Sequence, residues 1–275
     1  MKTAYPLAFF LAIRCASASA APDIVPLEFV GGIPFVKVTV GAAPAGRMMF
    51  DSGGMIGIAV PQSTIEQSGS VKVLDEKRRF SDLLGQVQEV PMLVARDVVL
   101  GATHLPPVSG QINTEWGGNG ADADLDAARK GGVIGLEAFA ERPLMFDYRR
   151  RTMSIYAAGD AHKQEWKKWR ALPLSYGKEG PFVTLRVAGV PKKFVLDTGA
   201  QVNLVDSGKF ACSAECPRPR LPELADAHGK ALSVQDAERI DLANAPFDGI
   251  LGAPFFRSYR VVFDVKGGQL HIAPH

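Results

Sequence analysis

Met48-Met49-Phe50-Asp51-Ser52-Gly53 returns later in the chain as Phe194-Val195-Leu196-Asp197-Thr198-Gly199. In both places an apolar run leads into Asp-Ser/Thr-Gly and a second apolar run follows. The second run is Ile56-Gly57-Ile58-Ala59-Val60 after Asp51 and Val202-Asn203-Leu204-Val205 after Asp197. The pattern reads as strand, tight turn and strand, with Gly53 and Gly199 admitting the turn and leaving room beside the carboxylate. Two carboxylates delivered by two copies of one fold can meet face to face. Such a pair shares a proton, because close like charges do not both ionise readily. It can activate water without metal or cofactor.

The likeness between the copies runs outward from the tripeptides. Upstream, Pro34-Phe35-Val36-Lys37-Val38 matches Pro181-Phe182-Val183-Thr184-Leu185. Downstream, Val133-Ile134-Gly135-Leu136 matches Ile250-Leu251-Gly252-Ala253, and Met145-Phe146-Asp147-Tyr148 matches Val262-Phe263-Asp264-Val265. The extra length of the first copy lies between its tripeptide and Ile134-Gly135. Two copies are too few for a solenoid. They predict a mainly β, two-lobed chain with an internal pseudo-twofold repeat. The hydroxyls of Ser52 and Thr198 are placed to bond the backbone of the opposite copy. Ile134-Gly135 and Leu251-Gly252 are expected to pack behind the turns, glycine permitting close backbone approach.

The bulk composition fits this reading. The chain has 275 residues, with 47% apolar and 22% charged residues, as in ordinary globular proteins. Its formal charge of +2 and the lack of a Lys/Arg stripe argue against nucleic acid as a partner. Arg149-Arg150-Arg151 lies between two strand-like runs and reads as a solvated hairpin turn. Residues 1–20 read as an export signal, with Lys2 at the start, an apolar core from Pro6 to Ile13 and Ala18-Ser19-Ala20 as cleavage site. No other apolar run is long enough to span a membrane. The expected mature chain is soluble, exported (periplasmic or secreted) and monomeric. Cys15 leaves with the signal, which leaves Cys212 and Cys216 as a local disulfide in an oxidising compartment. A metal site is the alternative for that pair, but no nearby ligands complete it.

The expected divisions are a first lobe over 21–157, a linker over 158–170 and a second lobe over 171–275. Short helices are expected over Pro61–Gln67 and Asp122–Lys130, and Trp166 and Trp169 of the linker are expected to be packing anchors. Asp122, Asp124 and Asp126 have the spacing of a calcium loop without its glycine and closing glutamate, which favours a helix start. His-Glu-x-x-His, Gly-x-Ser-x-Gly and a phosphate-binding glycine loop are all absent from the sequence.

With these residues on the page, the chain resembles the aspartic proteases. Their signature is an Asp-Thr/Ser-Gly turn and a later apolar-apolar-Gly in each lobe. The nearest likeness is to the bacterial retropepsin-like group, here with two lobes in one chain as in pepsin-like enzymes. The resemblance spans about Pro26 to His271 and implies a bilobal acid-protease-like β-barrel fold. It also implies an endopeptidase with Asp51 and Asp197 as catalytic dyad, no cofactor, and extended peptide or protein substrates. A hairpin flap over the cleft is implied too, with candidate turns at Gly85 (Phe80 to Val90) and Gly229 (Leu224 to Val234). The chain departs from the family at Gly54 and Ala200, where a hydroxyl often supports the outer carboxylate oxygen. That predicts a dyad pKa less depressed than usual, with activity at milder pH. Neither flap candidate holds a tyrosine, and the second copy is abbreviated. Two other readings remain open: a peptide-binding protein that keeps the cleft without turnover, and a structural pair of β-domains that associates through the turns.

Overall fold

The computed structural model describes residues 21–81, 87–114, 122–159, 165–177, 179–210, 223–234, 237–242 and 245–275. The expected export signal, Gly85, Cys212 and Cys216 all lie outside the described residues. Within them the chain is mainly β, with two curled half-barrel sheets and a third sheet built from both halves.

The first half-barrel is organised around strand Ile33–Val40, whose apolar side chains are all buried. It pairs antiparallel with Gly46–Asp51, Phe35 opposite Met49. Gly46–Asp51 runs parallel to Val133–Gly135, which places Gly135 beside Asp51. Val133–Gly135 then pairs antiparallel with Ile58–Val60, and Ile58–Val60 runs parallel to Val108–Ile112. Strands enclosed on both faces need apolar residues at successive positions, which is why Met48-Met49-Phe50 and Ile58-Ala59-Val60 are unbroken runs.

The second half-barrel repeats this order of pairing. Gly180–Val187 pairs antiparallel with Val190–Leu196, which runs parallel to Gly249–Leu251 with Leu196 opposite Leu251. Gly249–Leu251 pairs antiparallel with Asn203–Asp206, and Asn203–Asp206 runs parallel to Ala237–Ile240.

The third sheet has six strands in the order Asp23–Pro26, Thr152–Ile155, Leu144–Asp147, Tyr259–Asp264, Gln269–Pro274, Arg170–Pro173. Its middle joint is between halves, with Leu144 opposite Phe263 and Phe146 opposite Val261. Phe146 carries the aromatic packing at that joint. Its ring lies 4.9 Å from Phe50, 5.9 Å from Phe263 and 6.5 Å from Phe256. The strand before the Asp51-Ser52-Gly53 turn therefore rests on a cluster drawn from both halves. The linker contributes a short 3-10 turn, Glu165–Lys168, that buries Trp166 against Tyr156 and His271. Trp169 lies beneath the Arg260 guanidinium.

The two expected short helices form over Gln62–Ser68 and Ala123–Arg129. The first follows Pro61 and ends at Gly69, whose φ of 62° suits a residue without a side chain. Asp122 caps the second, its Oδ1 accepting the Leu125 N–H at 3.0 Å. Asp124 and Asp126 fall in that helix's first turn, so the acidic spacing serves a helix start. Among the described residues no helix is long and apolar enough to cross a membrane.

Because both halves close on Phe146, Phe146→Ala is expected to cost about 3–5 kcal/mol, the usual range for a buried phenylalanine. Chemical denaturation monitored by tryptophan fluorescence and by far-UV circular dichroism should still give one coincident transition. Two separated transitions would show halves that fold independently.

Candidate active site

Each Asp-Ser/Thr-Gly turn begins where a buried central strand ends, and the two turns are locked to one another. Ser52 Oγ donates to Leu196 O at 2.8 Å and accepts the Thr198 N–H at 3.0 Å. Thr198 Oγ1 donates to Phe50 O at 2.8 Å and accepts the Ser52 N–H at 2.9 Å. Both side chains are fully buried. Each hydroxyl thus uses its donor and one acceptor position on the other half's backbone, leaving neither turn free to shift alone.

The glycine of each turn lies against the opposite aspartate. A Cβ on Gly53 would come within 2.6 Å of the Asp197 carboxyl carbon, and one on Gly199 within 3.1 Å of that of Asp51. The turns can approach this closely only because both positions lack a side chain. The Asp51 and Asp197 carboxyl groups lie close enough for each to shift the other's titration. Asp51 Oδ1 accepts the Gly54 N–H at 2.9 Å, and Asp197 Oδ1 accepts the Gly199 N–H at 2.7 Å.

Behind the turns, Gly135 and Gly252 occupy matching places. A Cβ on Gly135 would strike Ile56 O at 2.0 Å, and one on Gly252 would strike Val202 O at 2.3 Å and Ala200 O at 2.6 Å. The Gly135 N–H donates to Gly57 O at 2.9 Å. The Gly252 N–H donates instead to the side-chain Oδ1 of Asn203, also at 2.9 Å. Gly57 and Asn203 stand at the same position of the repeat, six residues after the aspartate. One half supports its loop with a backbone carbonyl and the other with a buried amide. Ile134 and Leu251 are fully buried in their strands, at 0% exposure each.

Burial shifts the titration of both aspartates upward. Both aspartates keep part of their surface open, yet the packed atoms around them remove most hydration. That desolvation raises the Asp51 pKa, opposed by hydrogen bonds from Gly54, Asp197 and Gly53. Asp197 is pushed well above the ordinary carboxylate range, first by desolvation and next by the charge of Asp51. Among the described residues neither carboxylate forms a salt bridge. No group of three or more His, Cys, Asp or Glu among the described residues is arranged to hold a metal ion.

The long hairpin Val71–Ser81 with Val87–Ala95 stands beside the first turn. Arg78 from its first strand donates to Met55 O at 2.8 Å and so ties it to the loop after Asp51. The tip, with Gly85, lies outside the described residues. The second flap candidate is placed elsewhere. Gly229, with φ of 77°, does turn a hairpin, Leu224–Ala225 with Ala231–Leu232. Yet Leu224 pairs with Val187 and Ala225 with Arg186, at the end of Gly180–Val187 remote from Asp197. Strand Val190–Leu196 enters the Asp197-Thr198-Gly199 turn just beyond Val195, which pairs with Phe182. Five strand residues separate the two places, roughly 17 Å at about 3.4 Å each. In the first half an outer hairpin, Val98–Leu100 with Thr103–His104, pairs through Val98 and Val99 with Val40 and Thr39 in the corresponding register. The Gly229 hairpin is therefore the counterpart of that outer hairpin and does not cover the dyad. A glycine at a similar distance after each aspartate suggested otherwise, but distance along the chain does not fix which end of a strand a hairpin joins.

Several residues at the site carry no sequence signal. Gln201 Nε2 donates across the halves to Gly31 O at 2.9 Å. Gly180, with φ of 90°, brings the turn before strand Gly180–Val187 against Gly53, whose carbonyl a Cβ there would meet at 2.9 Å. The Tyr148 hydroxyl is buried with no hydrogen-bond partner among the described residues, and desolvation, then the Asp197 charge, raises its pKa. Asn203 alone had a visible cue, a lone polar residue inside an apolar run.

No protein-family model matches the sequence, and none of the curated proteins matches it.

Thr198→Val should leave the Ser52 N–H and Phe50 O without partners, at about 1–3 kcal/mol for each group left unsatisfied. Thr198→Ser, which keeps the oxygen, should recover most of that loss. Urea denaturation of both variants measures it, and equal stabilities for Val and Ser would contradict the locking role.

Proposed function

We propose that this chain is an aspartic-type endopeptidase of acid-protease-like, bilobal architecture, similar to the bacterial retropepsin-like enzymes. The observation that carries the reading is the pair Asp51 and Asp197. Two carboxyl groups from matching turns shift one another's titration, have pKa values raised above the ordinary carboxylate value, and sit in turns bonded reciprocally through Ser52 and Thr198. The pairing order shared by the two half-barrels supports an internal pseudo-twofold relation between them.

In this mechanism the dyad holds one proton between its members. The ionised carboxylate takes a proton from water held between the two, and the protonated one donates to the scissile carbonyl oxygen. Attack of water gives a tetrahedral diol. Protonation of the amine then releases it, with no covalent enzyme intermediate. The titration belongs to the pair and not to either residue. Backbone N–H groups of Gly54 and Gly199 hold one oxygen of each carboxylate in place, leaving the other for the reaction. The hairpin anchored by Arg78 acts as the flap, and its closure excludes water from the bound peptide. The N-terminal export signal and the pairing of Cys212 with Cys216 belong to the same proposal, which places the enzyme outside the cytoplasm.

Asp51→Asn and Asp197→Asn are each expected to lower peptide hydrolysis by at least about 10²–10⁴-fold, the scale of a lost general acid or base. A diverse peptide pool analysed by mass spectrometry tests this. Cleavage that persists in both variants would reject the dyad, and peptide binding without turnover in the wild type would favour a non-hydrolytic binder.

The pH dependence follows from the raised carboxyl values. The folded chain holds the dyad proton more tightly than the unfolded chain does. Its contribution to stability is therefore complete below the ordinary aspartate value of about 3.9 and declines as pH rises through the folded values. Asp197→Asn should consequently raise Tm relative to wild type at about pH 7, with the difference closing near about pH 4. The alkaline limb of the activity profile should lie above the ordinary aspartate range. Activity confined to strong acid would oppose the assignment.

A further inference from the structure

A second constellation sits at one end of the six-stranded sheet and involves neither aspartate of the dyad. Asp147 ends strand Leu144–Asp147, and the hairpin turn that follows carries Arg149 and Arg150. The pairing of Phe146 with Val261 places Arg260 next to Asp147 on the neighbouring strand. Tyr259 in turn pairs with Pro274, which brings His275 to the same corner. Asp147, Arg149, Arg150, Arg260 and His275 line a pocket of about 310 Å³. That volume is at the lower end for small-molecule sites.

The charges in the pocket do not balance. Asp147 accepts the Arg150 N–H at 2.9 Å and lies 3.7 Å from the Arg150 guanidinium. Among the described residues Arg149 and Arg260 have no carboxylate partner within salt-bridge distance. Arg260 is braced face-on by the Trp169 ring at 4.5 Å, a packing that leaves the edge donors of the guanidinium available. His275 has a side chain only 4% exposed, its Nδ1 is 3.8 Å from Asp147 Oδ1, and its Nε2 is buried without a hydrogen bond. Burial lowers the His275 pKa, Asp147 and the Phe256 carbonyl oppose that, and Arg149 and Arg260 reinforce it. Asp147 is the one carboxylate side chain of the lining, and Arg150 shares it, so the Arg149 and Arg260 guanidinium groups are left without an acid partner.

We propose that this pocket binds a small tetrahedral oxyanion: phosphate, free or as a monoester. A phosphate monoester accepts through three oxygens, enough to engage the forked donors of Arg149 and Arg260 together, which the two oxygens of a monocarboxylate do less well. Arg149 and Arg260 grip the anion from the turn and from the neighbouring strand, while the His275 Nε2 edge closes the buried wall. The site is independent of peptide hydrolysis, so it stands or falls apart from the protease reading.

Calorimetric titration of the full chain, at constant ionic strength in chloride, is the test. Inorganic phosphate and glycerol 3-phosphate are the two ligand arms, and acetate is the monoanion control. Saturable binding at one site is expected in at least one phosphate arm, with acetate at least tenfold weaker. Tighter binding of one arm identifies whether free phosphate or the ester is the natural form. Arg149→Gln and Arg260→Gln should each weaken binding at least tenfold. Arg260→Lys should fall between wild type and Arg260→Gln. Arg47→Gln, whose side chain pairs with Glu28 elsewhere, should leave binding unchanged. Circular dichroism confirms that each variant is folded, and if Arg260→Gln is not, the exposed turn variant Arg149→Gln decides the matter alone. Heats no greater than those of chloride dilution, equal affinity for acetate, or phosphate binding unaltered in Arg149→Gln would overturn the proposal.

Discussion

The reciprocal bonding of Ser52 and Thr198 is the constraint on which the rest of the site depends. Two hydroxyls supply four bonds between halves, all buried, all to backbone. Backbone partners matter because a main-chain carbonyl or N–H cannot rotate away as a side chain can. The lock therefore fixes where Gly53 and Gly199 lie, and these positions in turn set the approach of Asp51 and Asp197. Burying two carboxyl groups side by side is unfavourable when both are charged. The burial raises both carboxyl pKa values, while the surrounding strands prevent the separation that would relieve the repulsion.

A second layer holds the lock in register. Gly135 and Gly252 let their strands press against the loops after the aspartates, and Phe146 fills the space beneath Phe50 with rings from both halves. The two halves reach the same support by different chemistry at Gly57 and Asn203. Exchange of a backbone acceptor for a buried amide keeps the Gly252 N–H satisfied while letting the second loop follow its own path. It also makes that loop depend on one side chain, where the first needs none.

The central strands, the two turns and the close approach of the later glycines were legible in the sequence, because each is written locally. Apolar runs around Asp51 and Asp197 announce enclosed strands, and Gly53, Gly199, Gly135 and Gly252 stand where a Cβ would collide. What could not be read was the placement of segments whose position is set by partners distant in the chain. The Leu224–Leu232 hairpin has turn residues suited to a flap, yet its pairing with Arg186 and Val187 decides its location. The bond from Gln201 to Gly31 and the support of Arg78 on Met55 are long-range meetings of ordinary surface residue types. Leu144–Asp147 and Tyr259–Asp264 are alike in sequence, but likeness does not tell that the two strands pair with one another.

That joint has a consequence for how the chain is made. Leu144–Asp147 leaves the ribosome long before Tyr259–Asp264, and until the later strand arrives one of its edges has no mate. An unpaired, apolar edge is a template for intermolecular pairing, and contacts of such wide sequence separation form slowly. The first half must therefore wait, incomplete, through the synthesis of the second. Premature termination anywhere in that interval would release a product with an adhesive border, and chaperone protection during this window should matter more for this chain than the robustness of its finished core.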